Sequence, residues 1–320
     1  MASPDAAADA GSDAPRDAPA AIDAFAVPDA FAAPDAPHGC PVTLSSPLSF
    51  SLAHGAFPGS AHPDVAVHVP AGYDACARQG AVVYFHGFQN CVLNTIGSVD
   101  GACTPGGATR TAHHLIDQLD AAHVNAMLIA VEVAYDQSSS ATGALANDDG
   151  LAALLDELFA DHLSAMLGRP TAVADLDLVV LASHSGGYTA VADSLDHGHV
   201  DAREVMLFDS LYGDIPTYEA FTTHQLSRFD PASASPLRFA MVYTDVGSTD
   251  ANSRALGGEI ESGLGTLGHP EWLLFDETTA TLDAAAFTTP MIVKHSMLSH
   301  DGVVTYYFER FVAGAGFAPL

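Results

Sequence analysis

Ser185 lies near the middle of the stretch 178–190, read as L-V-V-L-A-S-H-S-G-G-Y-T-A. A short apolar, β-branched run gives way to a serine, two glycines and the start of an amphipathic pattern, which reads as strand, sharp turn and helix. A serine at the apex of such a turn is held in strained backbone with its Oγ exposed, and small neighbours let strand and helix approach closely. The chemistry this suits is nucleophilic attack, because a hydroxyl becomes a competent nucleophile once a hydrogen-bonded imidazole takes its proton. Against the pattern G-x-S-x-G the chain has Ser183, His184, Ser185, Gly186 and Gly187, so a small hydroxyl residue replaces the first glycine. Such a nucleophile needs a base, an acid to orient the base, and donors for an oxyanion.

Two late histidines could serve as the base, His295 and His300, in K-H-S-M-L-S-H-D-G-V-V. His300 stands just before a closing helical pattern, and His295 in or at the end of the last expected strand. Two aspartates directly follow strand patterns, Asp209 in F-D-S-L-Y-G and Asp245 in V-Y-T-D-V-G-S. Either aspartate could instead cap a helix or close an Asx-turn. Both preserve the order Ser, Asp, His. Of the 16 histidines, His113 and His114 fall on an expected helix, and His54, His62 and His68 are scattered. None has ligand spacing, so surface or capping roles are expected of them rather than metal binding. No metal or organic cofactor is implied.

The elements that must position these groups are read from the apolar pattern. Residues 48–52 and 64–69 read as two strands, and 81–85 as a continuous apolar run ending at His86, Gly87 and Phe88. A strand buried on both faces suits the centre of a parallel sheet. A helix over 108–122, a strand over 126–134, a polar loop over 135–146 and a helix over 151–166 follow. After the strand at 178 come a helix and strands over 204–208, 238–244 and 291–295, then a closing helix over 303–312. This alternation predicts a doubly wound α/β fold, mostly parallel, with an antiparallel pair in front, as one domain over 40–320. Phe88 and the segment 90–107 are expected to form one wall of a pocket and the loop 135–146 another.

With 320 residues and 48% hydrophobic content, the chain can bury a large core. Its formal charge of −29, from 39 acidic and 10 basic residues, repels phosphate backbones and anionic headgroups. Nucleic acid and membrane surfaces are therefore poor partners. Residues 1–39 are almost wholly Ala, Asp and Pro, with seven aspartates and one arginine, and are expected to be a disordered tether. No apolar run there is long enough for a signal peptide or a membrane span. Cys91 with Cys103 would close a Gly/Asn-rich excursion after a strand, and Cys40 with Cys76 would tie the domain's start to the loop before residue 81. These are the favoured pairings; the alternative is that one or more of the four are free buried thiols.

The motifs V-H-V-P-A-G-Y-D at 67–74 and A-V-V-Y-F-H-G-F at 81–88, with the S-H-S-G-G turn about a hundred residues later, together resemble the α/β-hydrolase fold of serine esterases and lipases. The resemblance spans about residues 42–318, and its front portion is similar to secreted carboxylesterases of the feruloyl esterase and polyester depolymerase type. It implies ester hydrolysis through an acyl-enzyme on Ser185, with the backbone N–H groups of Phe88 and Gly186 as oxyanion donors. It favours His300 over His295 as base. The commoner placement of the acid corresponds to Asp245, but D-S-L-Y-G resembles an element found in bacterial relatives with the same S-G-G-Y turn, so Asp209 is preferred. The implied partner is a small or polymeric ester. A non-catalytic binding domain, an amidase and an acyltransferase remain the alternatives. The Asp/Ala/Pro stretch resembles the spacer of secreted or lipid-anchored bacterial proteins, implying an extracellular, surface or periplasmic location with the export signal removed; the alternative is a cytoplasmic protein with an unusual tail.

Overall fold

Strands without a polar face can only sit where both sides of a sheet are covered, and the apolar runs here do so. In the computed structural model, which describes residues 39–320 apart from 41, 43, 45, 46, 138–140, 229–237, 246, 279 and 280, nine strands form one sheet. They are β1 (Leu48–Phe50), β2 (Val65–His68), β3 (Gly80–Phe85), β6 (Ala126–Val131), β7 (Leu178–His184), β8 (Ala202–Phe208), β9 (Arg238–Tyr243), β10 (Leu273–Asp276) and β11 (Met291–His295). Two further short strands, β4 (Gly101–Ala102) and β5 (Thr109–Arg110), pair with each other outside it. Of the expected tether, residues 1–38 lie outside the described residues, as do 138–140 of the polar loop.

The sheet order is β1-β2-β6-β3-β7-β8-β9-β11-β10. Strand β2 is antiparallel to β1 and β6, and the remaining neighbours are parallel. This is the α/β-hydrolase fold, with its antiparallel pair at the front. The period of two along each strand divides the core into two layers. Val83, Phe85, Leu181 and Leu207 face the helices α3 (Gly150–Glu157), α5 (Tyr188–His197), α6 (Ile215–Arg228) and α7 (Thr249–Leu267). Val82, Tyr84, Val180 and Phe208 face α2 (Leu115–Ala122) and α8 (Gly302–Gly314).

Several elements depart from expectation, α6 and α7 having no counterpart in the sequence reading. The helix over 108–122 begins only at Leu115, because Thr109 and Arg110 are held in β5 and His114 turns into left-handed backbone at φ 55°. The helix over 151–166 is α3 followed by a wider π-helical stretch, Leu158–Leu163, and then α4 (Ser164–Leu167). The sheet ends not on β11 but on the half-buried β10, which pairs outside it. Both favoured disulfides, Cys40–Cys76 and Cys91–Cys103, are present. A short five-residue helix, α1 (Val92–Ile96), follows Cys91 directly.

Candidate active site

Strand β7 ends at His184, and Ser185 takes left-handed backbone, φ 52°, at the turn into α5. That conformation costs a non-glycine residue about 1–3 kcal/mol, so the surrounding contacts must hold it. They do so through close packing: a Cβ on Gly187 would stand 2.5 Å from the Phe85 carbonyl oxygen, and one on Gly87 would stand 2.7 Å from Ser185 Cβ. The end of β3 therefore lies directly against the turn. Ser183, where the pattern has glycine, is wholly buried with its Oγ 2.8 Å from Ser210 Oγ, and Ser210 donates to the Ser185 carbonyl at 2.8 Å. The hydroxyl at 183 thus ties the turn to the chain leaving β8.

Asp209, the first residue after β8, is wholly buried in left-handed backbone at φ 46°. Its Oδ2 accepts from Thr244 Oγ1 at 2.6 Å and lies 2.7 Å from His300 Nδ1, and its Oδ1 accepts from Thr244 N at 3.0 Å and Thr249 Oγ1 at 2.7 Å. Burial alone would raise its pKa, but the bonds from His300, Thr244 and Thr249 outweigh it and hold the carboxyl below its usual range. His300 is part-exposed between β11 and α8. Its backbone carbonyl accepts from His184 Nε2 at 3.1 Å, and the two rings lie 4.4 Å apart.

Ser185, Gly186, Phe88 and His300 line a single cavity of about 520 Å³, together with Arg110, Tyr188 and Tyr212. Asp209 lies behind His300. Asp245 and His295 are bonded to each other instead, Oδ1 to Nε2 at 3.0 Å, with Asp245 exposed and His295 against the Tyr243 ring at 5.2 Å. Of the wall expected from Phe88 and the segment 90–107, Phe88 and Asn90 line the cavity and residues 91–107 do not; Thr109, Arg110 and Thr111 do so instead, with Arg110 over the Phe88 ring at 5.5 Å. The loop 135–146 supplies none of the lining among its described residues; Tyr135 packs on His62 instead, and Tyr188 and Tyr212 take that part of the wall.

Sequence reasoning did not single out Tyr212, although it stands in the same D-S-L-Y-G stretch as Asp209. It lines the cavity beside Ser185, and burial pushes its pKa up to about 12, so its hydroxyl is neutral at ordinary pH. His86 was also read only as part of a strand end. Its Nδ1 donates to the Gly87 carbonyl at 2.8 Å, Val133 N–H donates to its Nε2 at 3.1 Å, and the buried Glu132 lies beside it at 3.3 Å. The imidazole therefore fixes the turn on which Phe88 is mounted.

The surface role expected of the remaining histidines holds for His54, which is exposed and paired with Glu157. It fails for His68, buried on β2 against Asp120, and for His113, which is wholly buried. With the helix starting late, residue 113 turns inward, Nδ1 3.1 Å from the Tyr84 hydroxyl and its ring 4.8 Å from that of His184. Burial lowers the pKa of both imidazoles, that of His184 furthest. Asp301 lies within reach of both and is held below the usual carboxylate range by the neighbouring His113, then by His184 and Thr111, against the effect of its own burial.

No protein-family model matches the chain, and no curated protein matches it by sequence. Among solved structures it is similar to the feruloyl esterase module from Clostridium thermocellum, with 12% identity, a TM-score of 0.48, and coverage of 88% of this chain and 92% of that one. The acetyl xylan esterase from Aspergillus awamori has 11% identity and a TM-score of 0.47, covering 85% of this chain and 100% of that one. An S-formylglutathione hydrolase from Agrobacterium tumefaciens has 11% identity and a TM-score of 0.41 over 78% of this chain and 89% of that one.

Proposed function

We propose that this chain hydrolyses carboxylic esters through an acyl-enzyme on Ser185. His300 is the general base, Asp209 orients it, and the backbone N–H groups of Phe88 and Gly186 receive the oxyanion. The observation that carries the reading is the 2.7 Å contact between Asp209 and Nδ1 of a histidine that shares a cavity with Ser185. With its Nδ1 proton donated to Asp209, His300 keeps a lone pair on Nε2, the tautomer a general base needs.

In this reading Nε2 takes the Ser185 proton as Oγ attacks the ester carbonyl, and a tetrahedral oxyanion forms beside Gly186 and Phe88. Its collapse expels the alcohol, which receives the proton from His300. Water then enters by the same route: His300 takes its proton, the hydroxide attacks the acyl-enzyme, and the carboxylic acid leaves with Ser185 reprotonated. Asp209 is suited to stabilising the transient imidazolium, because the bonds it accepts favour its ionised form. Two disulfides further support a site of action outside the reducing cytoplasm.

The test is hydrolysis of p-nitrophenyl acetate and butyrate, beside the matching anilides, by the unaltered chain and by Ser185→Ala, with a fluorophosphonate probe in parallel. Turnover of the esters, loss in the variant and probe attachment at Ser185 are expected. Ester turnover that survives the substitution would sink the assignment.

A further inference from the structure

His113, His184 and Asp301 come from three separate parts of the chain: the loop before α2, the last position of β7 and the residue after His300. Their polar atoms converge. His113 Nε2 and His184 Nε2 each lie 3.8 Å from one oxygen, Asp301 Oδ1, and one ligand atom from each residue falls within 4.8 Å of the others. A separation of 3.8 Å is too long for a hydrogen bond. It is close to what a shared ion imposes, since tetrahedral bonds of about 2.0–2.2 Å set ligand atoms roughly 3.3–3.6 Å apart.

The surroundings also point to a ligand. His113 Nε2 has no hydrogen-bond partner although its side chain is wholly buried. An unpaired buried polar atom costs about 1–3 kcal/mol, and this one faces a second imidazole and a carboxylate. The other polar atoms of the two outer residues are already bonded: His113 Nδ1 lies 3.1 Å from the Tyr84 hydroxyl, and Asp301 Oδ2 accepts from Thr111 Oγ1 at 2.8 Å. That is how metal ligands are oriented, by a partner on the atom that does not bind the ion.

We propose that His113, His184 and Asp301 are the protein ligands of a divalent transition-metal ion, and that zinc is the ion their chemistry fits. Two imidazoles and one carboxylate suit zinc, whereas calcium and magnesium require an all-oxygen shell. His184 and Asp301 belong to the cavity wall, so the fourth position opens on the cavity and is left for water or a ligand oxygen. His184 binds through Nε2, the atom that donates to the His300 carbonyl at 3.1 Å. Binding moves that proton to Nδ1 and breaks this hydrogen bond, so the ion and the His184–His300 bond exclude each other. The second cluster of ligand types, Cys40, Asp74 and Cys76, has both sulfurs joined in a disulfide and offers no thiolate.

The experiment is equilibrium dialysis of the full chain against zinc chloride with the bound metal counted by mass spectrometry, repeated with cobalt(II) chloride and read by visible absorption. One ion per chain is expected, with the intense visible bands of a four-coordinate cobalt site. Asp301→Asn and His113→Asn should each weaken binding at least tenfold, while His114→Asn, one position outside the cluster, should not. Near-UV circular dichroism checks that each variant is folded; should His113→Asn fail to fold, the partly exposed Asp301→Asn gives the same reading. Zinc held no more tightly by the unaltered chain than by Asp301→Asn, or a six-coordinate cobalt spectrum, overturns the proposal.

Discussion

Asp209 Oδ2 lies 2.7 Å from His300 Nδ1, joining residues 91 positions apart at the carboxyl edge of the sheet. One strand further along, Asp245 and His295 repeat the same kind of contact at 3.0 Å. The two pairs differ in setting, since Asp209 is wholly buried and Asp245 is exposed. If the proposed chemistry holds, His300→Gln and Asp209→Asn should each lower kcat for p-nitrophenyl esters by about 10³-fold or more. His295→Gln should leave it within a few fold. Comparable losses in the His295 and His300 variants would remove the distinction between the pairs.

Ser183→Gly would restore the glycine of the G-x-S-x-G pattern while deleting the bond to Ser210. The expected outcome is a stability loss of about 1–2 kcal/mol in urea unfolding, from the lost hydrogen bond and the freer backbone. Turnover per folded molecule should change little, since Ser210 keeps its bond to the Ser185 carbonyl.

Glu204 makes stability depend on pH. It is wholly buried, 3.8 Å from Arg238, and burial pushes its pKa up to about 7 despite that cation. Between the ordinary value of 4.5 and about 7 the unfolded chain ionises Glu204 while the folded chain keeps its proton. Stability from this group is therefore full below about 4.5 and lost as pH rises through about 7, a change on the order of 3 kcal/mol. Thermal midpoints of the unaltered chain should fall across this window relative to those of Glu204→Gln, whose side chain does not titrate. Parallel profiles for the two proteins would refute the assignment.

The Cys91–Cys103 bridge closes a span of 12 residues that lies between the cavity-lining Asn90 and Thr109. Asn90 Oδ1 accepts from Cys91 N–H at 3.0 Å and from Asn94 Nδ2 at 2.7 Å, and Asn90 lines the cavity. Replacing both cysteines by serine should cost about 3 kcal/mol, or roughly 6–12 °C in thermal midpoint. KM should rise more than kcat falls, because the loosened span joins Asn90 to the lining residues Thr109 and Arg110, whereas Ser185 and His300 are mounted on other elements. Calorimetry and steady-state kinetics on the same preparation would separate the two effects.

What the sequence made legible was local. The strand at 81–85 and the turn at Ser185 are written in contiguous residues, and both lie where apolar run and turn chemistry predicted. Helix α7 was not read from the sequence, where Gly257, Gly258, Gly263 and Gly265 weaken its helical propensity. In the fold, a Cβ on Gly257 would stand 3.0 Å from the Phe275 ring, so that glycine permits close helix–sheet approach. The burial of His113 depends on Tyr84, 29 positions away, and on His184, further still. Such a contact has no periodic signature. The place of Tyr212 in the cavity beside Ser185 was hidden for the same reason, although Tyr212 stands within a stretch already singled out.

The Cys40–Cys76 bridge closes a span of 36 residues that contains β1 and β2. Strand β3, at the interior of the sheet, starts four residues after Cys76. Tension applied to the chain ahead of Cys40 therefore crosses the sulfur–sulfur bond and enters β3 without passing through the edge hairpin. A pull that would peel the three-residue β1 away strand by strand must instead shear a strand bonded on both sides. Reducing that one bridge moves the point of attack from the interior of the sheet to its weakest edge.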